Sequence, residues 1–166
     1  MTNEIYRARI LDHFQHPRHR GSLETMQSIG RAAIPMCGDE IEVGVREVGD
    51  AGLTVRFRGR ACAVCIASAS MMAELVDSLD RARVRELTDE FLGWMLGRAE
   101  AGTLGAAAPE LIETFAAVRE AGSRARCAAL PWGALAHALA PGAERPQVSA
   151  AAGATEPAVS APSAPG

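Results

Sequence analysis

Five side chains in this sequence are able to do chemistry together: the thiols of Cys37, Cys62, Cys65 and Cys127 and the carboxylate of Asp39. Sulfur and carboxylate donors bind borderline-soft cations, and thiolates also act as nucleophiles. Four cysteines in a chain of this kind read as metal-binding or catalytic rather than disulfide-bonded. The bland alternative is that they are small buried hydrophobes. Their surroundings decide between these readings.

The elements around them come next. Ile41, Val43 and Val45 alternate with Glu40, Glu42 and Arg46; after Gly49-Asp50-Ala51-Gly52, Leu53, Val55 and Phe57 alternate with Thr54, Arg56 and Arg58. This pattern predicts a β-hairpin with one apolar and one charged face. A turn centred between Asp50 and Ala51 makes paired residue numbers sum to about 101, which sets position 39 across from 62. Cys37 then falls two residues further out on the same face as Asp39. The hairpin is thereby expected to gather Cys37, Asp39 and Cys62 at one end of the sheet. Three thiolates and a carboxylate make a tetrahedral set for zinc once Cys127 closes the site. Iron–sulfur chemistry normally uses four cysteines, and a carboxylate in place of one makes a cluster easier to release. The arrival of Cys127 does not follow from spacing.

A first helix is expected over residues 3–16, an edge strand near Ser28 to Ile34, and helical periodicity after Cys62. Further helices carry Val84 to Met95 and, opened by Pro109, Leu111 to Val118. Gly97 to Ala108 reads as a connection, and a last helix runs from about Cys127 or Pro131 to Leu139. Strands first and helices later place the chain in the α+β class, with one domain over residues 1–140. Among the 26 residues from Pro141 onward, five are Pro and eight are Ala. That segment buries too little apolar surface to offset ordering entropy and is expected to be a disordered tail. The net charge of −3 and pI near 5.8 point away from nucleic acid or an anionic membrane as the main partner. The early acid Glu4 and the lack of an apolar signal core suggest a cytoplasmic location.

Four segments carry a family resemblance. Tyr6 to His13 with Pro17 to Gly21, Pro35-Met36-Cys37-Gly38-Asp39, Phe57 to Cys62 continuing through Ala67-Ser68-Ala69-Ser70-Met71-Met72, and Arg124 to Trp132 occur in order and at matching spacing. Over about residues 5–139 the chain resembles the IscU/NifU-type iron–sulfur cluster assembly proteins. Arg126, where the IscU branch has His before its third cysteine, and the long stretch between Cys62 and Cys127 favour the SufU branch. The sequence departs from the family pattern at Ile34 (usually Asn), Ala61 (Gly), Arg126 (Lys) and Cys65 (Ser).

The resemblance implies a small antiparallel β-sheet packed against a layer of helices. It also implies a site in which Cys37, Asp39, Cys62 and Cys127 hold Zn2+ or, alternatively, iron or a [2Fe–2S] cluster. Cys37 and Cys127 are the candidate sulfur acceptors. The implied partners are a pyridoxal-phosphate cysteine desulfurase of the SufS type, other SUF components and recipient apoproteins. Two functions share these ligands: a zinc-dependent sulfur acceptor for the desulfurase, and a scaffold for cluster assembly and transfer. A structural zinc module is a third reading, which an Asp ligand disfavours.

Several bland readings stand beside these. Cys62-Ala63-Val64-Cys65 has redox spacing without a thioredoxin-like βαβ pattern around it. His13 and His16 have ligand spacing, yet a helix-surface or core-edge role is the commoner one. His19 and His137 have no partner in the sequence. Ser68 and Ser70 are expected to face solvent or cap backbone groups, and the hairpin arginines to form a solvated face.

Overall fold

The computed structural model describes residues 2–143, with side chains from Glu4 onward. Helix α1 (Thr2–Gln15) leads into β1 (Ser28–Ile34), β2 (Asp39–Glu47) and β3 (Leu53–Arg60). Helices α2 (Ala63–Val76), α3 (Arg81–Met95), α4 (Leu104–Ala107), α5 (Pro109–Arg119) and α6 (Gly122–Leu139) follow. The strands form one antiparallel meander in the order β1-β2-β3. Its apolar face, with Ile41, Val43, Val45, Val55 and Phe57 fully buried, lies under the helices. This is the expected α+β class. No described helix is long and apolar enough to cross a membrane. The expected tail, beyond Pro141–Ala143, lies outside the described residues.

The hairpin forms, with a register one step from the expected one. Paired residue numbers sum to 100, as in Val43 with Phe57 and Val45 with Val55. An even sum is physically required, because directly opposite residues share a face and both apolar sets are odd-numbered. The connection spans residues 48–52: Ala51 N–H donates to Val48 O and Val48 N–H to Gly52 O, both at 2.9 Å. Extrapolated past the strand ends, Asp39 lies opposite Ala61, and Cys62 is the next residue along.

The last helix differs more. It starts at Gly122 rather than at Cys127 or Pro131, and Pro131 sits inside it. Proline has no N–H to give the carbonyl of Cys127, which weakens the turn locally. Tertiary packing outweighs that loss: Trp132 stacks on Phe91 at 4.2 Å between centroids, and Ala134, Leu135 and Ala138 are fully buried. The Trp132 indole N–H donates to Ser68 Oγ at 3.2 Å, and Ser68 Oγ–H donates to Ala128 O at 2.6 Å. Ser68 and Ser70 are therefore buried backbone partners and do not face solvent. Ser70 Oγ accepts the Arg18 N–H at 2.8 Å and lies 2.8 Å from His13 Nδ1, which fastens α1 to α2.

The stretch from Gly97 to Ala108 is a connection with one short helix in it. Glu90 accepts the Leu104 N–H and the Thr103 hydroxyl, and Leu104 is fully buried. Among the described glycines, the closest approach is between β1 and α6. A Cβ on Gly30 would stand 1.8 Å from Ala134 O, so only glycine allows the helix to lie there. Gly133, on the same helix, has open space around it.

These two glycines give a paired prediction. Gly30→Ala should lower stability by roughly 1–3 kcal/mol through overpacking. Gly133→Ala should raise it by about 0.5–1 kcal/mol, because the unfolded chain loses freedom. Urea unfolding of both variants checks this, and equal effects would mean that the α6–β1 contact is not tight.

Candidate metal centre

Three elements end at one place. Asp39 is the first residue of β2, Cys62 precedes the first turn of α2, and Cys127 lies in the second turn of α6. One ligand atom of each lies within 4.8 Å of those of the other two. Donors around a tetrahedral zinc ion at 2.0–2.3 Å are separated by roughly 3.3–3.8 Å, so only a small contraction is needed.

Asp39 is 4 % exposed, because its odd position puts it on the core face of β2. Its Oδ1 accepts the Cys62 N–H at 3.0 Å. Its Oδ2 is buried with no hydrogen-bond partner. A buried carboxylate oxygen left unpaired is costly, and a cation between it and the two sulfurs removes that cost. The N-terminus of α2 also favours negative charge at this point. The residues present therefore fit a metal ion.

The thiols are arranged unequally. Cys62 is exposed, whereas Cys127 is 7 % exposed and its Sγ donates to Ser123 O at 3.6 Å. Burial pushes the Cys127 thiol up to about 12, with the neighbouring Cys62 and Asp39 adding to the shift. Burial also raises Cys62, and it drives Cys65 up more strongly. Without a cation these groups stay protonated at neutral pH.

Cys37 is not gathered with the other three. It lies in the β1–β2 turn, where Cys37 N–H donates to Ile34 O at 3.1 Å and Gly38 N–H to Pro35 O at 3.3 Å. Period-two alternation ends at Asp39, and Gly38 at φ +68° turns the chain out of strand geometry. Cys37 is consequently exposed beside Met36, itself 99 % exposed. Cys65 is fully buried in the core, one helical turn beyond Cys62, and outside the three-residue group.

The remaining candidates are dispersed. His16 pairs with Asp12 on the α1 surface at 3.5 Å, and His13 is taken up by Ser70, so they do not act as a pair of ligands. His19 Nδ1 lies 3.9 Å from Asp77, and His137 Nδ1 lies 3.0 Å from Arg31 O. Arg31 and Arg58 both pair with Glu42 at 2.6 Å on the outer sheet face. The sequence reading missed the role of the Cys62 backbone N–H in orienting Asp39. An aspartate at a strand start, close to a residue that caps a helix, was the available signal.

Comparison with known proteins agrees with this architecture. The family described as the NifU-like N-terminal domain matches residues 5–128. The zinc-dependent sulfurtransferase SufU of Bacillus subtilis is 29% identical over 136 residues, covering 82% of this chain and 90% of the relative. An iron–sulfur cluster assembly scaffold protein IscU of Streptococcus pyogenes is 29% identical over 137 residues, covering 82% and 84%. Among solved structures, a SUF-system scaffold protein from Fervidobacterium islandicum superposes with a TM-score of 0.70 at 25% identity, covering 80% of this chain and 94% of that one. With that match running from α1 into α6 across Asp39, Cys62 and Cys127, the chain belongs to the NifU-like N-terminal domain family.

Proposed function

We propose that this protein serves iron–sulfur cluster assembly as a zinc-holding sulfur acceptor for a pyridoxal-phosphate cysteine desulfurase. One observation carries the reading: a buried carboxylate oxygen of Asp39 without a partner, set within 4.8 Å of the Cys62 and Cys127 thiols. Asp39, Cys62 and Cys127 would hold the ion, with Cys37 as the fourth donor from its turn. The chemistry zinc supplies when bound is to hold such thiols as thiolates at neutral pH. The relative named a zinc-dependent sulfurtransferase supports the same assignment.

The residues divide the work by exposure. Cys37 stands in an exposed turn, where a desulfurase persulfide can reach it. Once it has left the donor set, its thiolate attacks the outer persulfide sulfur; a new S–S bond forms on Cys37 and the desulfurase cysteine leaves as a thiolate. Cys127, buried and donating to Ser123 O, is the poorer first acceptor and the better anchor. Asp39 is a harder, more exchangeable donor than sulfur, which suits a site that must release a ligand. The scaffold reading uses the same donors for a [2Fe–2S] cargo and has support from the relatives named as IscU scaffolds. The isolated protein separates the two: colourless with about one zinc per chain for the acceptor, brown with a transferable cluster for the scaffold.

Two predictions follow from the donor set. Serine at Cys37, Cys62 or Cys127 should abolish stoichiometric zinc after chelator challenge and cut desulfurase stimulation at least about tenfold. Asp39→Ala should weaken zinc retention and leave the metal-free protein about as stable as before, since it removes a costly unpaired carboxylate oxygen together with one hydrogen bond. Zinc analysis alongside urea unfolding tests both, and full zinc occupancy in Cys127→Ser would remove Cys127 from the site.

A further prediction concerns pH. In the metal-free fold Cys127 is raised from 9.0 to about 12, so the folded chain keeps a proton that the unfolded chain releases. That contribution to stability is fully present below pH 9 and is lost as the pH rises toward 12. Melting temperature of metal-free protein should therefore fall across this window, and Cys127→Ser should flatten the fall. An identical slope in both proteins would contradict the assignment.

A further inference from the structure

Cys65 is the one cysteine that metal binding does not use, and it lies three residues beyond Cys62, which is free for other chemistry when the ion is absent. Cys62 is the N-cap of α2, with φ −66° and ψ 165°, and its carbonyl accepts the Ile66 N–H at 3.0 Å. Cys65 is the third residue of that helix. The N-cap and the third helical residue lie on one side of the first turn, the spacing that a capping box uses. Cys62 is exposed and Cys65 fully buried behind it. One accessible and one protected thiol at a helix N-terminus is the arrangement in which dithiol–disulfide chemistry runs in one direction.

The chemistry of cluster assembly leaves such a pair something to do. A persulfide delivers sulfur at the sulfane level, whereas a cluster contains sulfide, so each sulfur needs two electrons. We propose that Cys65 is a resolving thiol, which discharges sulfur carried on Cys62 as hydrogen sulfide and leaves a Cys62–Cys65 disulfide. The inference rests on the sulfur-acceptor reading for the source of the sulfur. Exchange first moves the outer sulfur from Cys37 to Cys62, forming the Cys62 persulfide and freeing the Cys37 thiolate. Cys65 Sγ then bonds to Cys62 Sγ, the bond from Cys62 to the outer sulfur breaks, and that sulfur leaves with the Cys65 proton. Persulfide plus thiol becomes disulfide plus hydrogen sulfide. The sulfane sulfur is reduced, and the two cysteine sulfurs are oxidised. A dithiol reductant restores the pair by attacking exposed Cys62.

The test uses reduced, metal-free full-length protein under anaerobic conditions. It is pulsed with inorganic polysulfide and desalted, then followed by sulfide assay and peptide mass. Expected are about one sulfide per chain and a loss of about 2 Da in the peptide carrying Cys62 and Cys65. Cys65→Ser should retain a gain of about 32 Da on the chain and release at least about tenfold less sulfide. Cys65→Ala, with its fold checked by circular dichroism, should behave alike. Equal sulfide release from these variants overturns the proposal, as does a wild-type disulfide that joins Cys37 or Cys127 instead. If neither variant folds, the wild-type peptide map alone decides. A parallel arm replaces polysulfide with desulfurase and cysteine: absence of sulfur on the chain there refutes the acceptor reading, while the polysulfide arm still judges the pair.

Discussion

The hydrogen bond from the Cys62 N–H to Asp39 Oδ1 joins the start of β2 to the start of α2, and the site depends on it. It fixes one carboxylate oxygen and leaves the other buried and unpaired beside two thiols. A protein selected for stability alone has no use for that oxygen, since a buried polar atom without a partner costs about 1–3 kcal/mol. Unpaired polar groups of this kind mark places where a fold holds energy in reserve for a ligand. A cation uses that reserve.

The rest of the molecule serves to bring Cys127 to the same point. α6 lies directly on β1 because Gly30 offers no side chain to the Ala134 carbonyl. Its angle is held by the Trp132–Ser68–Ala128 chain of hydrogen bonds and by the stacked Phe91 ring. Beyond the helix end, Arg81 and Arg85 both donate to the Leu139 carbonyl. Cys127 is thus mounted on a rigid element, while Cys37 is mounted on a turn. The difference matches the work assigned to each: an anchoring donor has to stay in place, and an acceptor has to meet a second protein.

Much of this was legible in the chain, for identifiable reasons. β1 begins and ends where expected, and the alternation on either side of Gly49–Gly52 forms the hairpin. The exact register was also available, since two odd-numbered apolar sets can face each other only with an even sum. Asp39 and Cys62 meet because a hairpin brings its two ends together. Cys127 was placed by resemblance alone, because its approach depends on a helix packed across the sheet from 65 residues away in sequence. The position of Cys37 was misread, since alternation stops where Gly38 turns the chain. Pro131 suggested a helix boundary that packing overrides. Of the two expectations for Ser68 and Ser70, solvent or backbone groups, the second holds, and their partners in α6 and in the loop after α1 account for their burial.

Asp39 is the oxygen donor beside three sulfurs in the proposed site. X-ray absorption at the zinc edge of the isolated protein tests this most directly. Expected are three sulfurs at about 2.3 Å and one oxygen at about 2.0–2.2 Å around the ion, with the oxygen contribution altered in Asp39→Ala. A shell of four sulfurs, unchanged by Asp39→Ala and reduced to three by Cys65→Ser, would contradict this assignment.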